Sequence, residues 1–518
     1  MRRALPLLAP LALLVALGPP LACGSFDQGS TSVQDAGDGG GDVDAAADGP
    51  ADAPAGCDPL ADPKDAPKCV ANAFAVFVDA ASGSDGNAGT KESPFKSIAA
   101  ALGNMGKVQR IYVCEGTYPE HVTLTTGVSL YGGFACGTWS YNGTKAKVAP
   151  ANAGYALHVD GASDAMVVSD LELVAPDGTA ASPSSVAVFV SRATKVTLRR
   201  VAAAAGKGLA GVDAIDPMDF APANAPDGTA GGAALKPGEQ TPNPACATSI
   251  GGAGGKAGTP NGAPGEVAVV PVFPTVPLSN GAGGPSAVGD CAGGSAGRNG
   301  SYGIGGMPGA GASSTGTLEA TGWKGNDGAP GGAGGNAQGG GGGAQINAGG
   351  VGGSGGPGGC GGAGGAKGTA GGASIAVLVF QSSLLLEQAS LSAKDAGRGG
   401  NAAKGQKAQL GNIGLAMANN PANACTGGLG GIGGSGGGGG GGAGGVSAGI
   451  LYKGTPPTLD GASTPAADTL ASITLGAKGA AGTKGLGGDA AQTTPASRAG
   501  QEGSAGAEGA ARAVLSAP

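Results

Sequence analysis

The chain is poor in most of what a conventional core or active site is built from. Of its 518 residues, 3% are aromatic and 13% charged, with two histidines and two tryptophans. Much of its 41% apolar content is alanine, which buries little surface, so a single large globular core is excluded. A net charge of −7 and a pI near 5.0 remove any electrostatic case for a nucleic-acid partner. His121 and His158 are too few for a typical zinc site and read as structural or surface residues, and CxxC spacing is absent. The G-x-S-x-G matches at 352–356 and 433–437 follow from composition, because an α/β-hydrolase needs a histidine after its nucleophile and both lie upstream. "GGAGGKAG" (251–258) fails as a phosphate loop because Ala257 follows the lysine where Ser or Thr is needed.

What is abundant is glycine, 112 residues, roughly three times ordinary usage. In "GGVGGSGGPGGCGGAGGA" (349–366) it takes two of every three positions through six triplets. Gly294 to Gly309, Gly476 to Gly488 and Gly500 to Gly509 hold the same period, and "GGLGGIGGSGGGGGGG" (427–442) repeats the doubled form. Three residues per turn is the period of an extended polyproline-II-type helix, which has no internal hydrogen bonds. Its N–H and C=O groups must therefore be bonded elsewhere. Collagen uses one glycine per triplet beside proline, which these runs do not match. Packed polyglycine-II helices bonding backbone to backbone do match, with Val351, Ser354, Pro357, Cys360 and Ala363 projecting. The competing reading is flexible coil, since ordering each glycine costs ~1–2 kcal/mol. The held phase, and cysteines in or beside the runs, favour order.

The N-terminus carries "MRR" and then "ALPLLAPLALLVAL", a signal-peptide pattern too short to span a bilayer. "PPLACGS" follows, and Leu21-Ala22-Cys23 resembles the lipobox of bacterial lipoproteins, with Pro20 where that motif usually has an aliphatic residue. The resemblance implies acylation of Cys23, export, and anchoring to the outer membrane or cell surface. An ordinary secretory signal is the alternative. With Cys23 lipidated, Cys57, Cys69, Cys114, Cys136, Cys246, Cys291, Cys360 and Cys425 remain as candidate disulfide partners. Eight cysteines allow 105 connectivities, and neighbour pairing (57–69, 114–136, 246–291, 360–425) is the simplest.

The texture divides the chain into a signal peptide (1–22) and a disordered stalk rich in Asp, Ala, Gly and Pro (23–73). Strand-rich coils (74–208) and a Gly-rich insertion (209–373) follow. Then come a further coil (374–399), a second insertion (400–447), a weak last coil (448–479) and a Gly/Ala-rich tail (480–518). "DAGDGGGDVD" in the stalk lacks the spacing and terminal Glu of a calcium loop.

From residue 74 short β-branched runs alternate with turn residues, and Ser93-Pro94 signals a helix over "PFKSIAAAL". "VFVDAASGSDGNAGT" (76–90), "SPFKSIAAAL" (93–102), "RIYVCEGTY" (110–118) and "VSLYGGF" (128–134) resemble the opening of right-handed parallel β-helix proteins of the pectin-lyase-like superfamily. That resemblance implies an all-β fold in which the helix caps the open end of the coil. "YALHVDGASDAMVVSDLELVAPDG" (155–178), "VAVFVSRATKVTLRRVAAAAGKG" (186–208) and "IAVLVFQSSLLLEQASLSAKDAGRG" (375–399) repeat one pattern, with a period near 23. Compositionally the glycine segments resemble PGRS-type proteins of bacterial envelopes, without the PE domain of the mycobacterial members.

Lyases of this superfamily use clustered acidic calcium ligands and a basic residue. Asp160, Asp164, Asp170, Glu172, Arg199 and Arg200 are the candidates, yet none forms a recurring column, and surface charge is the simpler reading. No catalytic, metal or cofactor residue is assigned, and the chain leans to a non-enzyme. The expected function is an envelope-anchored scaffold displaying glycine-rich surfaces for adhesion, matrix contact or shielding. Its partners are the membrane, through the N-terminal lipid, and polysaccharide or surface proteins. The alternative is a pectate-lyase-like or polysaccharide-binding protein using the face around 155–204.

Overall fold

The computed structural model describes residues 61–231, 236–247, 249–256, 259–265, 281–285, 291, 295–345, 351–414, 425–464, 467–468, 470–490 and 498–518. Three parallel sheets dominate, and the fold is all-β, with one short α-helix among the described residues. The first sheet orders Val76–Val78, Arg110–Cys114, Ser129–Phe134, Met166–Ser169, Val196–Arg199, Leu384–Glu387 and Thr458–Leu459, with Ala462–Ser463 antiparallel at its edge. A second sheet orders Val122–Leu124, Leu157–Asp160, Ser185–Ser191, Ser374–Phe380, Ser447–Lys453 and Ala511–Ser516. The third contains Thr117–Tyr118, Ala146–Val148, Leu171–Val174, Ala202–Ala204, Ser390–Ser392 and Ile473–Thr474. From residue 122 onward the chain visits the second, first and third sheets in turn and then begins again.

Stacking in register follows from alternation. Leu130, Val168, Leu198, Leu386 and Leu459 pair one above another along the first sheet. Leu124, Val159, Val190, Val379 and Tyr452 do the same along the second. These inward positions share one core with Leu171, Leu173 and Ala203. Like side chains one strand apart bury each other's apolar area, at about 25 cal/mol per Å². The register step is longer than the expected 23 residues: Leu157 pairs with Val188 and Met166 with Val196, steps of 31 and 30. The shorter figure counts only the strand-bearing part of each repeat and omits the connection back to the second sheet.

Outward positions are covered as well. Phe77, Tyr112, Tyr131, Phe134 and Trp139 cluster outside the first sheet, where Val70 packs on them and the Tyr112 hydroxyl donates to the Cys69 carbonyl. Residues 61–73, assigned to the stalk by composition, are therefore folded onto the sheet, held by that aromatic surface. On the second sheet Phe189, Ile375, Leu378 and Leu451 are covered by the hairpin Gly316–Glu319/Gly322–Gly325 through Leu318 and Trp323. The helix occupies Ile98–Gly103, beginning later than Ser93-Pro94 suggested. Ser97 caps it, because Phe95 pairs with Val78, and the Ile98 and Ala99 N–H groups are taken by Glu120. Ile98 and Ala101 enter the core.

All three glycine excursions leave after a third-sheet strand and return to a second-sheet strand. Among the described residues they form extended segments joined by backbone hydrogen bonds every third residue. From 434 to 442 the segment 425–446 is surrounded by six others. At Gly434, Gly437 and Gly440 the N–H groups donate to Gly335, Gly332 and Ala329, and the carbonyls accept from Gly362, Gly365 and Gly368. At Gly436, Gly439 and Gly442 the N–H groups donate to Gln406, Ala403 and Gly400, and the carbonyls accept from Gly488, Gly485 and Gly482. At Ser435, Gly438 and Gly441 the N–H groups donate to Arg498, Gln501 and Ser504, and the carbonyls accept from Gly306, Gly309 and Ala312. Each triplet thus spends its six backbone groups on six neighbours, which answers the accounting that period three demanded.

That packing explains why the doubled pattern becomes unbroken glycine. Leu429 and Ile432 stand where the segment 498–510 has not yet joined, and the third position holds a large side chain there. From 436 to 442 every side is occupied, and all seven residues are glycine. Ser435 marks the boundary, its hydroxyl accepting from the Ala408 N–H and donating to the Asp489 carbonyl. In the segment from 351, Val351, Ser354, Pro357 and Cys360 are buried rather than projecting, whereas Ala363 is exposed.

Candidate functional site

Corner residues between the first and third sheets place the densest charge cluster. Asp170 and Arg200 sit 30 residues apart with φ of 57° and 52°, so equivalent one-residue bends stack them. Left-handed backbone at non-glycine positions costs energy and is held here by the strands on both sides. Arg200 donates to both Asp170 carboxylate oxygens at 2.8 and 2.7 Å, to the Ser169 hydroxyl at 2.9 Å and to Asp62 at 2.8 Å. Arg199 reaches Glu387 at 2.5 Å and Asp62 at 3.2 Å, and the Tyr141 hydroxyl donates to Asp170.

Burial by itself would raise the Asp62 carboxyl. The Lys64 N–H and the two guanidiniums outweigh it and hold the group below the usual carboxylate range. The hydrogen bond to Asp170 is the main cause holding the Arg200 proton more tightly than usual, against burial. Asp170 and Arg200 are largely buried, at 4% and 15% side-chain exposure, and each is engaged by the other, which suits a clamp on residue 62 better than a proton-abstracting base.

The other candidates are spread out. Glu172 pairs across the sheet with Lys147, and Asp164 stands exposed at a turn. Asp160 is held by Arg192 at 2.7 Å and by the Ser191 hydroxyl at 2.7 Å, with His158 Nε2 3.2 Å from that hydroxyl. Ser191, His158 and Asp160 share the composition of a hydrolytic triad, but the serine donates to the carboxylate and is fully buried, so it cannot meet a substrate. His158 stacks on Phe189, and burial lowers its proton affinity. Asp62 and Glu387 escaped the sequence reading because nothing local marks a partner 137 or 188 residues away, and Ser191 and Arg192 because their partner Asp160 lies 31 and 32 residues away, one register step along the sheet.

Cys114 pairs with Cys136 as neighbour pairing anticipated. The glycine segments cross their bonds instead: Cys246 joins Cys360 and Cys291 joins Cys425, correcting 246–291 and 360–425. The reason is lateral packing, which places residues of different segments side by side. Cys69 is disulfide-bonded, while Cys57 and Cys23 lie outside the described residues. Asp79 lies beside Cys114 and Cys136, an arrangement with metal-ligand proximity. Those sulfurs are oxidised to one another, and Asp79 is satisfied by the Ala81 and Ser82 N–H groups and the Ser82 hydroxyl.

No helix among the described residues is long and apolar enough to cross a membrane. No protein-family model, curated protein or solved structure matches the chain.

Proposed function

We propose that the chain is a non-catalytic, lipid-anchored scaffold of the bacterial envelope. In this reading it is a right-handed parallel β-helix capped by the helix at 98–103, carrying packed polyglycine-II helices at one corner. The cyclic visiting order of the three sheets supports the coil. The six-neighbour segment 425–446 carries the reading, because a backbone bonded on every side makes a rigid mount whose outer third positions are left for display. Exposed rows of opposite sign already face each other on two neighbouring segments, Lys478 and Lys484 of one pairing with Glu508 and Glu502 of the other. A surface of this kind suits adhesion, matrix contact or shielding.

The engagement of Asp170, Asp160 and Glu172 by Arg200, Arg192 and Lys147 favours the scaffold over a lyase. Incubation of the purified chain with acidic polysaccharides tests this. Release of unsaturated products that disappears in Asp170→Asn would overturn the scaffold and establish the enzymatic alternative. Palmitate labelling of the native protein that vanishes in Cys23→Ala supports the anchor. Equal labelling of both, or of neither, removes it.

A further inference from the structure

One column of the glycine packing is filled at one end by a described segment and has none at the other. The segment 250–255 lies on two neighbours at once. Gly252 and Gly255 N–H groups donate to Gly340 and Gly343, and Gly355 and Gly352 donate back to Gly252 and Gly255. One triplet further along, side chains close the column. Ser249 Oγ donates to the Ala337 carbonyl at 2.6 Å, Asn243 Nδ2 donates to Gly358 at 2.8 Å, and Cys246 is tied to Cys360. Past that point the two floor segments remain bonded to each other, Gly334 to Gly362 and Gly331 to Gly365, with no described segment above them.

The next groups facing this column are the Gly331 and Gly334 carbonyls and the Gly361 and Gly364 N–H groups. Gly361 donates to Asn336 Oδ1 at 2.7 Å, and the other three have no partner among the described residues, nor have the Gly361 and Gly364 carbonyls, which are in phase with the Gly352 carbonyl that accepts from Gly238. All four glycines are partly exposed, whereas Gly340, Gly343, Gly352 and Gly355 are buried. Apolar walls flank this floor. Gly335 and Gly332 donate to Ile304 and Met307, which sets those side chains along one side at 45% and 62% exposure. Along the other side Gln406 bridges the Ala363 N–H and the Met218 carbonyl, and Val212 bonds Thr369. Val212, Ile215 and Met218 recur every third residue at 68, 89 and 88% exposure. A row of large apolar side chains so exposed beside unpaired backbone groups marks an interaction surface.

We propose that this trough is the interface of a two-fold dimer, in which segment 209–219 of each copy lies in the trough of the other. The column is continuous with the internal 250–255 interface, so the fitting occupant is an extended segment of period three, which this chain supplies. Segment 209–219 is an edge: neither backbone group of Ile215 has a partner among the described residues. Because 209–219 also forms one wall of its own trough, wall and floor are self-complementary under a two-fold axis. The proposal is independent of the scaffold reading, which a monomer would satisfy equally.

Sedimentation velocity on the full oxidised chain tests it. A dimer is expected. Both the wall variant Ile215→Glu/Met218→Glu and Ala333→Arg, at an exposed position of the floor segment 331–335, should weaken it about thirtyfold or more with unchanged melting temperature. A photo-crosslinking residue at Ala363, an exposed position, should capture 209–219 of another copy. A monomer at every concentration, a dimer unaffected by either variant, or a crosslink confined within one chain would overturn the proposal. The last outcome would mean that the chain fills its own trough.

Discussion

The Gly437 N–H donates to the Gly332 carbonyl at 2.9 Å, while the Gly437 carbonyl accepts from Gly365 at 2.8 Å. A residue with no side chain thereby joins three segments of the chain. A methyl group on Gly437 would collide with the carbonyl of Met307, on a fourth segment. Gly437→Ala should lower stability by about 1–3 kcal/mol or more, since backbone has little room to yield. The exposed Ala363→Ser should stay within about 0.5 kcal/mol. Calorimetric melting that ranks the two variants equally would contradict the packed arrangement.

Amide exchange gives a second test. Peptides covering 428–445 should exchange as slowly as the second-sheet strands, because every N–H there between Gly433 and Gly442 is bonded to a neighbouring segment. Residues 215–219, at the edge of one copy, should exchange quickly only where the dimer is dissociated, as in Ala333→Arg. Rapid exchange across 428–445 would mean that the glycine segments are coil.

Non-reducing peptide mapping should recover Cys246 with Cys360 and Cys291 with Cys425. Replacing Cys246 and Cys360 together by serine should cost about 2–5 kcal/mol, as for native disulfides that close long loops. Recovery of a 246–291 peptide would refute the crossed arrangement.

Asp62 supplies a pH signature. Its folded-state carboxyl is held below the ordinary range, so it contributes stability above the unfolded pKa. That contribution is lost as pH falls through the lower folded value. Asp62→Asn should be less stable than the parent near neutrality by about 1–3 kcal/mol. The gap should hold down to about pH 4 and close below it. A gap that persists into strong acid would show that Asp62 acts by packing rather than charge.

Much of the fold was legible because β-structure writes itself locally. The runs at 186–191 and 375–380 combine apolar residues facing the core, such as Val188, Val190, Val377 and Val379, with apolar residues facing a cover, such as Phe189 and Leu378, and both became second-sheet strands. The C-terminal strand Ala511–Ser516 was missed, since "ARAVLS" is a single short run inside a Gly/Ala-rich tail. Its signal is the edge of Ser447–Lys453 waiting to be paired, which only the folded chain presents. The helix start shifted for a similar reason, because Phe95 found a strand partner. Of the charge cluster, Asp170, Arg199 and Arg200 were visible as residues, but their engagement by Asp62 and Glu387 was not.

Period three, doubled glycine and the rise to unbroken glycine are properties of the sequence, and with unbonded backbone they already require lateral neighbours. Which segments become neighbours is decided only in three dimensions. Glycine carries no side chain to specify a partner, so every run is locally equivalent to every other. The choice falls to the strands that set where each excursion leaves and returns, and to cysteines and capping side chains such as Ser249, Asn243 and Ser435. The disulfides therefore cross where the sequence suggested neighbours, and no described segment lies above Gly331 and Gly334 although the same glycine pattern fills the column at Gly340 and Gly343, two triplets away.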